Sequence, residues 1–149
     1  MLDFERVRAA PIQSEPFPFA IITGTVAEEF RAPIEADYPA ISRYGSFPLS
    51  SLSYGPNFAR LVDELSGETM RGIIERKFDI DLGARPVMVT VRGLCTARDG
   101  NIHTDSTTKL VTMLYYTNRS HECGSARLRL RSSRDRASVR RPSSGVRRR

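Results

Sequence analysis

His103 and Asp105 stand one residue apart beside a glycine turn, in Gly100-Asn-Ile-His-Thr-Asp105, and a strand-like run follows from Lys109 to Asn118. On an extended backbone side chains repeat every second residue, so this imidazole and this carboxylate project to the same side. Two such donors and one further histidine make the triad that holds non-haem Fe(II) while leaving coordination positions open. The chain has two histidines, and the other is His121. A strand from Lys109 to Thr117 spans about 30 Å at ~3.3 Å per residue, which carries His121 away from the pair unless the chain folds straight back. The pair therefore reads as two metal ligands, His103 and Asp105, in search of a third. The competing reading is a polar turn in which Asp105 accepts from the amides of residues 106–108.

The elements that must position this pair follow from periodicity. Residues 14–22 predict an extended strand whose prolines suit a sheet edge. Thr25 is an N-cap candidate for a short helix that opens with Glu28 and Glu29. Residues 37–56, rich in Pro, Ser, Gly and Tyr, predict a long loop. Phe58, Leu61, Val62 and Leu65, then Met70, Ile73, Ile74 and Phe78, fall at helical spacing, with Ser66-Gly67 dividing two amphipathic helices. The pattern then turns to strands: Pro86 to Cys95 is β-branched, and Leu110 to Tyr116 is apolar on both faces, as for a strand buried within a sheet. Helices first and strands later predict an α+β layout, with the helices packed on one side of the sheet.

Charge divides the chain. Eleven arginines stand from Arg119 to Arg149 against Glu122 and Asp135, a net of +9, so residues 1–118 carry −3 of the overall +6. Residues 1–118 are thus one domain, and 119–149 an Arg/Ser-rich, low-complexity tail expected to be disordered, in which only Arg127-Leu-Arg-Leu-Arg131 alternates over a short strand's length. Such a tail adheres nonspecifically to polyanions, although it has no aromatic residue to stack a base. The absence of an apolar leader and of a membrane-length apolar run predicts a cytoplasmic protein, with no membrane partner and with Cys95 and Cys123 as free thiols.

Val91-Arg-Gly93, Ala97-Arg-Asp-Gly100, His103-Thr-Asp-Ser106 and Lys109 to Asn118 together resemble the Fe(II)- and 2-oxoglutarate-dependent oxygenase superfamily, in its prolyl 4-hydroxylase-like bacterial branch. The upstream Glu15-Pro-Phe-Pro-Phe19 and Ser46-Phe-Pro-Leu-Ser50 extend the likeness over roughly residues 14–118. The resemblance implies a double-stranded β-helix (jelly roll) braced by the helices, here a partial one. It implies Fe(II) held by His103 and Asp105, 2-oxoglutarate as cosubstrate, O2 as oxidant, and a hydroxylase-type dioxygenase (oxidoreductase) reaction on an unidentified peptidyl or small-molecule substrate. Thr112 and Tyr116, on one strand face with Leu110 and Leu114, are the candidate cosubstrate-binding residues; core packing is the plainer account of that stripe. Nothing in the chain matches the family's distal histidine or the Arg or Lys that follows it. The expected molecule is therefore an impaired enzyme, truncated or frame-shifted after about residue 118. The alternatives are a non-catalytic β-roll binding module and a basic-tailed nucleic-acid-binding protein.

Overall fold

Apolar spacing and capping place the helices first. The computed structural model describes residues 1–94, 108–117 and 127–132. Its helices are α1 (Phe4–Ala9), α2 (Glu28–Ala36), α3 (Pro56–Ser66) and α4 (Glu68–Phe78), with a single 3-10 turn at Leu49–Ser51. The strands are β1 (Phe19–Thr23), β2 (Ser46–Pro48), β3 (Thr90–Arg92), β4 (Val111–Tyr116) and β5 (Arg127–Ser132). This is the expected α+β arrangement, and α3 and α4 divide at Gly67 as the periodicity predicts. A Cβ on Gly67 would meet the Asp63 carbonyl oxygen at 2.8 Å, so the tight corner needs glycine for space.

Several expectations change, and β2 and the 3-10 turn fall within residues 37–56, the stretch expected to be a long loop. Thr25 does not cap α2: the N-cap is Ala27, and Thr25 is instead fully buried. The strand expected over Pro86 to Cys95 forms a ladder, among the described residues, at Thr90–Arg92, because its partner β2 is three residues long and gives way to the 3-10 turn at Leu49–Ser51. From there Leu49 N–H donates to the Val89 carbonyl, and the chain turns.

The larger sheet has the order β1-β5-β4, antiparallel throughout. The alternation in Arg127–Arg131 thus yields a true strand, and it is the central one. β4, expected to lie within a sheet, has one strand neighbour among the described residues. In register, Leu130 lies between Ala20 and Met113. Ala20, Ile22 and Leu130 join Val7 of α1, Ile34 of α2, Leu61 of α3 and Met70 and Ile73 of α4 in one buried cluster. The helices therefore cover one face of this sheet, and burial of that face is its main source of stability.

Distant polar contacts lock the helices onto this core. Glu64 accepts the Leu2 amide at 2.7 Å, and Lys77 Nζ donates to the Arg8 carbonyl at 3.0 Å, satisfying an acceptor at the end of α1. No helix among the described residues is long and apolar enough to cross a membrane.

Candidate functional site

Strand parity sorts β4 into two surfaces. Val111, Met113 and Tyr115 pack on the helical core, whereas Thr112 is half-buried and Leu114 and Tyr116 are 46% and 41% exposed on the opposite face. β1 repeats the division: Ala20 and Ile22 are buried, and Ile21 is 38% exposed. The stripe that carries Thr112 and Tyr116 is thus the open face of the sheet, and core packing does not account for it.

Between the two outer strands the register aligns three rows. Arg131 lies between Phe19 and Thr112, Arg129 between Ile21 and Leu114, and Arg127 between Thr23 and Tyr116. The two candidate cosubstrate residues therefore each neighbour an arginine position on β5. Sequence reasoning missed this because the pairing joins residues distant along the chain; the one local signal was the alternation of arginine with leucine.

His103 and Asp105, the expected metal ligands, lie outside the described residues, as do His121, Cys95 and Cys123. Asp105 precedes the first residue of β4 by six positions, and that residue, Val111, pairs with Ser132 at the end of β5. Among the described residues, no group of three His, Cys, Asp or Glu side chains is placed to hold a metal ion. Comparison with protein-family models, with curated proteins and with solved structures finds no match.

Arg92 lies on β3, where its Nη1 donates to Ser46 Oγ of the neighbouring strand at 3.0 Å. Lys109 is exposed just ahead of β4.

Polar groups gather beneath the covered face of β4. Burial pushes the Tyr115 hydroxyl up to about 12, partly offset by the Arg31 guanidinium and by Thr25, which favour the phenolate. Thr25 Oγ1 is near enough to exert that influence, yet it has no partner that satisfies hydrogen-bond distance and angle. Arg31 is ion-paired to Glu28 on the first turn of α2. At the end of β4, Thr117 lies beside the Tyr38 hydroxyl, whose pKa is raised by burial and partly restored by that contact. The Tyr38 ring meets Phe58 edge to face at 5.1 Å.

Proposed function

We propose that this chain is a Fe(II)- and 2-oxoglutarate-dependent oxygenase-type domain of reduced competence, built on part of a jelly roll. The observation that carries the reading is the placement of His103-x-Asp105 just ahead of a strand whose open face bears Thr112 and Tyr116. Two supports accompany it. Helices brace the other face of the same sheet, as the family's do, and β5 sets arginine positions beside both Thr112 and Tyr116. A dicarboxylate cosubstrate calls for such a cation, because an arginine fork matches carboxylate geometry.

In this reading His103 and Asp105 hold the metal, and the donor chemistry suits it: one imidazole and one carboxylate, with positions left open. The bound metal and cosubstrate supply oxidative decarboxylation of 2-oxoglutarate coupled to hydroxylation of a C–H bond. The chain's part is to hold the donors, to orient the cosubstrate against Thr112 and Tyr116, and to anchor the sheet on its helices. Without a matched distal histidine, metal affinity falls, since even the loss of groups that only orient a ligand costs about 10–100-fold.

The test is thermal stability with Fe(II) or Mn(II) plus 2-oxoglutarate, for the wild type and His103→Ala. A site filled at a hundred times its dissociation constant stabilises the fold by about 2.7 kcal/mol. The expected result is a small upward shift that His103→Ala abolishes, with no succinate formed in step with product. An unchanged melting temperature in the wild type would reject metal binding. It would instead favour the second reading, a non-catalytic sheet module, which the exposure of Ile21, Leu114 and Tyr116 on one face also supports.

A further inference from the structure

We propose that the open face of the β1-β5-β4 sheet binds single-stranded nucleic acid. By the alternation of strands, the face that carries Ile21 on β1 and Leu114 and Tyr116 on β4 carries residues 127, 129 and 131 on the strand between them. All three are arginine. A row of cationic positions thus runs along the middle of the sheet, with Phe19, Ile21 and Thr23 on one side and Thr112, Leu114 and Tyr116 on the other.

Two physical requirements of a single strand are met together. Alternate residues of a strand are about 6.7 Å apart, a repeat similar to the phosphate spacing of an extended single strand, so successive phosphates can follow β5. The half-exposed Tyr116 ring and the exposed Leu114 and Ile21 offer apolar surface to base faces, which every nucleotide possesses and a sulfated glycan lacks. A duplex fits poorly. Its bases are already stacked, and its major groove admits a helix or a two-stranded ribbon more readily than the flat face of a three-stranded sheet. The Arg-rich segments beyond the sheet add attraction for any polyanion, but they contain no aromatic residue, so stacking must come from the sheet.

This inference goes beyond the oxygenase reading and needs neither metal nor cosubstrate. The experiment is therefore run on the full chain in chelator, and the failure of one reading leaves the other standing. Fluorescence anisotropy would follow a labelled oligothymidylate of about 12 nucleotides, within the usual site size. Micromolar binding is expected, weakening about 20-fold from about 50 to 200 mM salt if three phosphates are neutralised. Tyr116→Ala should weaken binding about tenfold, Tyr116→Phe should retain it, and Arg129→Glu should cost at least tenfold. Should Tyr116→Ala lower the melting temperature, Leu114→Gln tests the same surface. Equal binding by wild type and Tyr116→Ala would overturn the proposal and assign the affinity to charge alone. Equal affinity for polyphosphate or duplex would do the same. Self-association that buries the face, seen by sedimentation, would overturn it in favour of a second copy.

Discussion

Leu130 stands directly across from Met113 in the β4–β5 ladder, and its side chain is fully buried. It comes from a stretch dominated by arginine, yet it completes the hydrophobic core on the central strand of the sheet. Leu130→Ala should therefore destabilise the protein by about 2–5 kcal/mol, through lost burial plus the cavity left behind. Urea denaturation monitored by circular dichroism measures this; a midpoint within error of wild type would place Leu130 outside the core.

Asp37 Oδ2 accepts the Asn57 amide at 2.6 Å and its side-chain amide at 2.8 Å, serving as a cap for α3 from the end of α2. The Gly55 N–H donates to the Asp37 main-chain carbonyl at 2.9 Å, and a Cβ on Gly55 would lie 2.2 Å from Asp37 Oδ1. Asp37→Ala should cost about 1–2 kcal/mol, as the loss of a cap does. Gly55→Ala forces the carboxylate out of its seat as well, so its melting temperature should fall below that of Asp37→Ala. The reverse order would show that the loop relaxes around the methyl group.

Thr25 presents a buried hydroxyl without a well-formed hydrogen bond. Exchange for an apolar residue of the same shape removes the desolvation cost and leaves packing intact. Thr25→Val should be neutral or stabilising by up to about 1 kcal/mol. A loss of stability would mean that Thr25 bonds to Tyr115 in solution, and a double-mutant cycle with Tyr115→Phe would then report the coupling.

Stability should fall at both ends of the pH scale for separate reasons. Burial lifts Tyr115 to about 12 from its ordinary 10.0, so the folded state holds the phenolic proton more tightly. That contribution is complete below pH 10 and is lost as pH rises through 12. On the acid side, burial acts to raise Glu64, but the Leu2 amide and the Arg60 guanidinium outweigh it and hold the carboxyl below its ordinary 4.5. Its contribution is present above 4.5 and lost as pH falls through the lower folded value. Thermal melts across pH should show Tyr115→Phe removing the alkaline loss and Glu64→Gln diminishing the acid one. Unaltered profiles would assign both phases to other groups.

The α+β order, the break between α3 and α4 and the existence of β1 and β4 were legible along the chain, because each depends on local spacing; β5 showed only as a brief alternation inside a tail expected to be disordered. Phe58, Leu61 and Leu65 repeat at helical intervals, Gly67 interrupts them, and arginine alternates with leucine from Arg127 to Arg131. The His103-x-Asp105 spacing is local in the same sense, and it names a chemistry from two residues.

What tertiary structure alone decided is sidedness and partnership. β4 is apolar on both faces, so its sequence contains no period-two signal to tell Tyr115 from Tyr116; only packing against the helices makes the first a core residue and the second an exposed one. Thr25 obeys the local rule for an N-cap and is buried instead, while α3 is capped by an aspartate 20 residues away. The arginine positions of β5 come to lie between Ile21 and Leu114 because that register puts Leu130 into the core, and a shift of one residue would bury arginine in its place.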